Sequence, residues 1–293
     1  MSAITNNSAQ VKASLIQKYP LIAFFVLAFG LTWIFMIMDA LGSHNILPFR
    51  LPLPLMIVMG YMPTLAAVIV TNATKGRDGV HALLKKLLIA RVGSRWYLFA
   101  IFGFGVVSVA AIMLYNLLGG SPAVPILSKD IPPFSGPFQF VFNIVTFFII
   151  IGIVNGEELA WRGFALPRLQ AKYNALTSSI ILGVLWALFH LPLFFTLTGS
   201  SQADESPIGF LLSTVSLAIL YTWMYNHTRG SVLMAYLFHA AANTWTRVFS
   251  IDHGNATVGW ILTSLIALTA VIVVMTTGAQ NLSRTHARIQ EEN

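Results

Sequence analysis

A chain of 293 residues that is 56% hydrophobic, with a mean hydropathy of +0.75, is far more apolar than a soluble domain with one buried core. Its formal charge of +7 comes from 17 Lys and Arg against 10 Asp and Glu, and the absence of cysteine excludes disulfides, thiolate zinc sites and a cysteine nucleophile. We expect an all-α polytopic membrane protein, because helices satisfy their own backbone hydrogen bonds in hydrocarbon.

Eight apolar runs follow one another along the chain, each near the roughly 20 residues that a bilayer-spanning helix needs. They are residues 21–41, 52–72, 97–118, 137–156, 175–198, 207–226, 231–249 and 257–277. The first run is longer than the apolar region of a secretory signal, which predicts an uncleaved first helix. We predict about eight transmembrane helices in one domain over residues 21–278, between an N-terminal segment (1–20) and a tail (279–293), both cytoplasmic.

The positive charges are distributed unevenly between the two predicted sides of the membrane. Fourteen of the 17 Lys and Arg residues fall on the side of both termini, and three fall on the other: Arg50, Lys129 and Arg247. This bias predicts cytoplasmic termini in a plasma membrane, which we take to be a bacterial inner membrane. The segment 79–96 mixes leucines with basic residues, as a helix lying on an anionic inner leaflet does. The charge therefore indicates orientation and contact with lipid, and we expect no nucleic-acid partner.

Three places in the second half of the chain carry polar side chains in or beside apolar runs, where an ionisable group costs about 2.5 to 3.5 kcal/mol at a helix centre. They are Glu157, Glu158 and Arg162; His190 with Trp186; and His239 with Asn243. Taken singly, each has a structural explanation: charges at a helix end, a packed histidine, or an interhelical hydrogen-bond pair. Three such groups on three helices are more simply explained by one shared polar cavity.

Helical spacing assigns partners within the first group. Glu158 and Arg162 are four residues apart and lie on one face, which predicts an ion pair. Glu157 points about 100° away and is left without a partner in its own helix. A helix that ended at Glu158 would leave this carboxylate shallow while His190 is deep. We therefore predict that the helix continues past Arg162 toward Pro167, which brings Glu157 inward to the histidines.

These groups are the components of amide hydrolysis without a protein nucleophile. Glu157, surrounded by apolar helices, is a candidate general base for water, and His190 can share or relay the proton. His239 and Asn243 offer N–H donors on one helix face for the oxyanion of a tetrahedral intermediate. The chain lacks the H-E-x-x-H zinc helix and the G-x-S-x-G serine elbow of other hydrolases.

Three stretches, "EELAWR", "WALFH" and "HAAAN", resemble in this order the E-E-x-x-x-R, F-x-x-x-H and H-x-x-x-N/D motifs of the CAAX prenyl protease and bacteriocin-processing family of intramembrane proteases. The similarity to the family's eight-helix type II CAAX prenyl endopeptidases is concentrated between residues 150 and 250. It implies catalytic roles for Glu157, His190, His239 and Asn243, and supporting roles for Glu158 and Arg162. Trp186 stands where phenylalanine is commoner and still supplies an aromatic wall.

The resemblance leaves the metal open. Glu157, His190 and His239 have the composition of a His₂Glu zinc site with an open position for water. Glutamate and histidine alone are the competing way to hold that water. We expect no tightly bound structural metal and no other cofactor, with zinc at these three residues as the alternative.

The substrate that the resemblance implies is a membrane-associated protein or peptide, prenylated or lipid-linked, cleaved by an intramembrane endopeptidase. Two other functions stay open. One is a non-catalytic immunity or scaffold protein that keeps the polar cavity for helix packing. The other is a small-solute transporter, although the two halves of the chain show no matched Gly/Pro-broken helices.

Overall fold

The computed structural model describes residues 14–120, 137–197, 202–203, 205–249, 255–284 and 286–291, and this part of the chain is helical and contains no β-strand. A short helix, α1 (Leu15–Lys18), comes first. The helices that follow are α2 (Pro20–Ser43), α3 (Leu53–Lys85), α4 (Ser94–Leu117), α5 (Pro137–Val154), α6 (Leu166–Lys172), α7 (Ala175–Phe189), α8 (Pro207–His227), α9 (Val232–Val248) and α10 (Ala256–Thr277).

Each of the eight predicted apolar runs coincides with one of these helices, so the predicted all-α polytopic fold is confirmed. Over the described residues, six helical spans are long and apolar enough to cross a membrane: α2, α3 with its continuation to Leu88, α4, α7 with its continuation to Phe195, α8 and α10. A seventh span results if α5 and the bent helical stretch after it are counted as one. α9 has 17 residues and a polar face that carries His239 and Asn243, so the number eight is approximate.

α3 bends at Gly76. The backbone there has a φ of 62°, a conformation that favours glycine because a Cβ atom would be strained. The part beyond the bend carries the basic residues of the predicted surface segment. It also packs on protein, because Leu83 is 5% exposed and the Nζ of Lys86 donates a hydrogen bond of 2.6 Å to the carbonyl of Gly163. This segment therefore supports the helical stretch that follows Glu157.

The predicted uninterrupted helix from α5 past Arg162 is wrong at residues 155–157. α5 ends at Val154, and helical structure resumes at Glu158 and continues as a π-helix, Leu159–Ala165, into α6. The two helical parts are bent by 52° relative to each other. The helical structure does extend beyond Pro167, as predicted, but it does so in a new direction.

Close packing of α3 against the break gives it a physical reason. A Cβ atom on Gly60 would lie 2.7 Å from the carbonyl oxygen of Val154, and one on Gly156 would lie 2.5 Å from the ring of Tyr61. The hydroxyl of Thr64 donates a hydrogen bond to the carbonyl of Gly156, which has left the helix. Gly60 and Gly156 thus let α3 come close enough to hydrogen-bond a carbonyl group that the break leaves without its helical partner.

The helices around the break form a bundle in which α9 packs on α4 and α5, and α8 packs on α7 and α10. An aromatic cluster lies beneath the π-helix. Trp161 is fully buried, and its ring meets those of Phe24 and Phe189 edge-to-face at centroid distances of 5.6 and 5.2 Å. Such packing fixes the orientation of the indole and its N–H group.

The described part of the C-terminal tail packs against the bundle. The backbone N–H group of Ala175 donates a hydrogen bond of 3.0 Å to the carbonyl of Gln280, and that of Leu176 donates one of 3.0 Å to the carbonyl of Ala279. Glu291 accepts hydrogen bonds from Arg168. It also forms an ion pair, 2.6 Å long, with Lys75 of α3. The tail therefore links the ends of α3, α6 and α7.

Candidate active site

Glu157 lies in the break between α5 and the π-helix, and two indoles hold its carboxylate. Its Oε2 accepts hydrogen bonds from the Nε1 of Trp161, at 2.8 Å, and of Trp186, at 2.9 Å. Because Trp161 is only four residues further on, the expectation that Glu157 has no partner in its own helix is wrong. The two bonds fix the carboxylate in place and leave Oε1 facing His190.

His190 directly follows α7, which ends at Phe189, and stands two residues before Pro192, which interrupts the helical hydrogen bonding. Its Nδ1 lies 2.8 Å from the carbonyl oxygen of Trp186, so this nitrogen carries a proton and donates it. In the neutral ring Nε2 is then an acceptor, and it lies 4.0 Å from the Oε1 of Glu157. Two acceptors at this separation can receive both hydrogens of one water molecule.

Glu158, Arg162 and His239 form a buried cluster beside this pair. The predicted ion pair is present, with 2.9 Å between Glu158 Oε1 and Arg162 Nη1, and both side chains are at most 1% exposed. The same oxygen lies 2.7 Å from the Nδ1 of His239, a residue of α9. Glu158 therefore orients the histidine ring and leaves its Nε2 for another partner.

Arg162 is held between two aromatic rings. Its guanidinium carbon lies 4.3 Å from the ring centroid of Trp186 and 3.7 Å from that of Tyr221, which is 1% exposed. These cation–π contacts replace part of the hydration that burial removes. Tyr221 was not predicted, because it lies in an apolar stretch of α8 without a charged residue at helical spacing. Trp161 was also missed, although its spacing of four residues from Glu157 is a signal that the sequence contains.

A cavity of about 450 Å³ adjoins these residues on the side of α8 and α10. His190, His239, Asn243, Trp186 and Tyr221 line it, and Asn243 is exposed within the bundle. The structure thus brings the histidines and the amide of Asn243 to one space, as predicted. Glu157 does not line this space, and its carboxylate meets it through His190 and Trp186.

The alternative zinc set is not assembled in the described part of the chain, where no three His, Asp or Glu side chains are grouped to hold a metal ion. The Nδ1 of His190 is engaged by a backbone carbonyl and that of His239 by Glu158, as in zinc-ligating histidines, and the Oε2 of Glu157 accepts from two indole N–H groups. The remaining atoms, the Nε2 of each histidine and the Oε1 of Glu157, are not grouped as three ligands, so the set as arranged does not fit zinc. No step below uses a metal.

This arrangement predicts the metal content of the protein. We expect wild-type protein purified in detergent to contain well below one zinc per chain, because the two histidines and Glu157 are not grouped as three ligands. Elemental analysis measures this, with a His190→Ala, His239→Ala double variant as the matched control. One zinc per chain in wild type that disappears in the double variant would contradict the expectation.

Comparison with known proteins agrees with the three motifs. The family model described as type II CAAX prenyl endopeptidase Rce1-like matches residues 137–245, which include every predicted site residue. Residues 137–245 are thus similar to the Rce1-like type II CAAX prenyl endopeptidases. The resemblance inferred from the motifs is thereby confirmed over these residues, which run from the start of α5 into α9.

A curated protein to which the chain is similar is named CAAX prenyl protease 2 and comes from Methanococcus maripaludis. It is 29% identical over 171 residues, which amount to 56% of this chain and 61% of the relative. The chain therefore aligns with less than two thirds of that protein's length.

Proposed function

We propose that this protein is an intramembrane endopeptidase that hydrolyses a peptide bond of a membrane-associated protein or peptide, prenylated or lipid-linked. One observation carries the proposal: the Nε2 of His190 and the Oε1 of Glu157 face each other at 4.0 Å with both atoms able to accept. That geometry suits a water held for nucleophilic attack, and Glu157 accepts its proton as general base.

The reaction follows from the remaining contacts. The water oxygen bonds to the carbonyl carbon while its proton passes to Glu157, and the carbonyl oxygen takes the negative charge. The amide of Asn243 and the Nε2 of His239, protonated while Nδ1 donates to Glu158, supply hydrogen bonds to that oxyanion. When the C–N bond breaks, Glu157 returns the proton to the leaving nitrogen, which gives a carboxylic acid and an amine. The acid then passes its proton to the amine, so a carboxylate and an ammonium group result.

The substrate class rests on the surroundings of the site. The cavity is enclosed by α7, α8, α9 and α10, three of which are apolar enough to span a membrane. A peptide that reaches it is concentrated by partitioning into lipid, and a prenyl or acyl group supplies that partitioning at about 0.8 kcal/mol per buried CH₂. The name of the archaeal relative, CAAX prenyl protease 2, supports a prenylated C-terminus.

The location proposed for the protein is the plasma membrane, with both termini in the cytoplasm and residues 21–278 forming one transmembrane domain. Fourteen of the 17 basic residues fall on the side of the termini, which supports this orientation.

Cleavage by purified protein in proteoliposomes tests the function. A farnesylated peptide ending in a CAAX sequence is the substrate, and the same peptide without the farnesyl group is the control. We expect wild type to release the C-terminal fragment and the His190→Ala variant to release none, with both proteins equally folded. Equal release by the variant, or none by wild type on either peptide, would favour the non-catalytic immunity or scaffold function.

Asn243 provides a prediction about the oxyanion. We expect Asn243→Ala to lower kcat about 100- to 1,000-fold, the usual effect of losing one oxyanion donor, with KM little changed. Thr246→Ala, which alters the same helix and the same cavity lining, is the matched control and should stay close to wild type. A loss confined to KM would make Asn243 a substrate-binding residue instead.

A further inference from the structure

A second cavity, of about 340 Å³, shares no lining residue with the catalytic one among the described residues. It forms where the first turns of α4 meet the last turn of α8 and the end of α10, close to the start of the tail. Two arginines, a histidine and three aromatic rings line it: Arg95, Arg284, His227, Trp96, Phe99 and Trp223. This space is called the basic cavity below.

The charged groups of the basic cavity are all of one sign. No carboxylate lines it within the part of the chain that the structure describes. Arg95 and Arg284 are exposed, and the Nε of Arg284 donates a hydrogen bond to the carbonyl of Thr276, which anchors its guanidinium group beside the cavity. His227 is tied through Nδ1 to the carbonyl of Trp223 at 2.8 Å, which fixes the orientation of its ring. An oxyanion would find its donors in the two guanidinium groups.

The wall of the basic cavity is rigid and apolar. Trp96 is 5% exposed, and its ring meets that of Trp223 edge-to-face at 4.7 Å, while Phe99 meets the same indole at 5.1 Å. The guanidinium group of Arg95 lies 5.4 Å from the ring centroid of Trp96. The cationic side chains suit the anionic head of an amphiphile, and the aromatic rings suit the apolar part next to it.

The position of the basic cavity is that of a membrane surface. It lies at the ends of three helices that are each long and apolar enough to span a bilayer, on the side to which the positive charges are biased. Exposed apolar side chains stand nearby along the same helices. Leu98 is 60% exposed and Phe102 48% on α4, and Met275 is 79% exposed on α10.

We propose that the basic cavity binds the phosphate headgroup of an anionic phospholipid of the cytoplasmic leaflet. The two guanidinium groups contact the phosphate oxygens, the aromatic wall contacts the glycerol region, and the acyl chains lie along the apolar side chains of α4 and α10. Basic pockets between transmembrane helices on the cytoplasmic side take this kind of ligand. The exposed apolar flanks favour a lipid over free phosphate, which would leave them without a partner.

Binding is measured with the full chain in neutral detergent, by titrating short-chain phosphatidylglycerol and recording the melting temperature. Phosphatidylcholine of the same chain length and inorganic phosphate are the two comparison ligands. We expect phosphatidylglycerol alone to raise the melting temperature. An Arg95→Gln, Arg284→Gln double variant should melt like wild type without lipid and bind phosphatidylglycerol about 30-fold more weakly, since each arginine near an anionic surface contributes about fivefold.

The matched control is an Arg77→Gln, Lys85→Gln double variant, which removes two exposed cations from the same side outside the basic cavity. It should bind phosphatidylglycerol as wild type does. Equal weakening in both double variants would overturn the site and leave only general charge attraction. An equal response to phosphatidylcholine, or to inorganic phosphate, would overturn the assignment of an anionic lipid. If the cavity variant is unstable, native mass spectrometry of retained phosphatidylglycerol in single Arg95→Gln and Arg284→Gln variants gives the same decision.

The inference is independent of catalysis. The same titration on Glu157→Gln protein, which is expected to be inactive, should give the wild-type response, so failure of the proposed protease function would leave the lipid result intact.

Discussion

The Glu157→Gln variant is expected to lose at least about 100-fold in kcat, and up to about 10,000-fold, because it removes the general base and keeps the shape of the side chain. The amide can still accept from the indoles of Trp161 and Trp186 through its oxygen, so the fold should hold. The measurement is initial-rate cleavage of the farnesylated peptide in proteoliposomes, with the melting temperature recorded for the same preparations.

A second carboxylate provides a sharp control. Glu205 lines the catalytic cavity, whereas Glu157 reaches it through His190 and Trp186. We expect Glu205→Gln to retain most of the activity. The reverse result, an active Glu157→Gln and an inactive Glu205→Gln, would assign the base to the cavity carboxylate and contradict the mechanism.

The Arg162→Ala variant is expected to lose about 3–5 kcal/mol in the free energy of unfolding. It leaves Glu158 as an uncompensated buried charge and empties the space between Trp186 and Tyr221. Denaturation in mixed detergent micelles, followed by tryptophan fluorescence, measures this. Arg50→Ala is the matched control, because its ion pair with Asp39 is 3.1 Å long but 40% exposed on the arginine and should contribute less than about 1 kcal/mol. A loss at Arg162 no larger than that at Arg50 would contradict the expectation.

A double variant separates the structural role of the cluster from its catalytic role. Glu158→Leu with Arg162→Met removes both charges together, and apolar replacement of a buried pair is often neutral. We expect stability to recover relative to Arg162→Ala while cleavage stays absent, because His239 has lost the carboxylate that orients it at 2.7 Å. Recovery of cleavage together with stability would show that His239 needs no such partner.

The ion pair of the charged cluster could be predicted from the sequence, whereas the contact of Arg162 with Tyr221 could not. Glu158 and Arg162 are four residues apart in one helical stretch, so their pairing follows from helical geometry alone. The contact between Glu157 and His190 does not follow from helical spacing. It was predicted because an isolated ionisable group in a membrane costs free energy, which favours gathering such groups in one cavity. Tyr221 escaped because a tyrosine in an apolar helix has no periodic signal, and only the packing of α8 on the π-helix brings it to Arg162.

The break at residues 155–157 was beyond sequence reasoning for a different reason. The break depends on the close packing of Gly60 in α3 against Val154, and Gly60 is distant in sequence. The composition around Val154 alone would suggest that the helix continues. The zinc alternative likewise rests on residue types, whereas in the described residues no three of these side chains are grouped to hold a metal ion. Local pattern predicts which residues gather, and long-range contacts decide which atoms face each other.

The hydrogen bond from Trp186 to Glu157 joins two segments that emerge from the ribosome one after the other. Glu157 is synthesised and inserted before α7, and His239 arrives later still with α9. Until α7 docks, the carboxylate lacks one of its two indole donors and the histidine that faces it. A growing chain therefore carries Glu157 before Trp186, His190 and His239 reach it, and the site that we propose is complete only when α9 is in place.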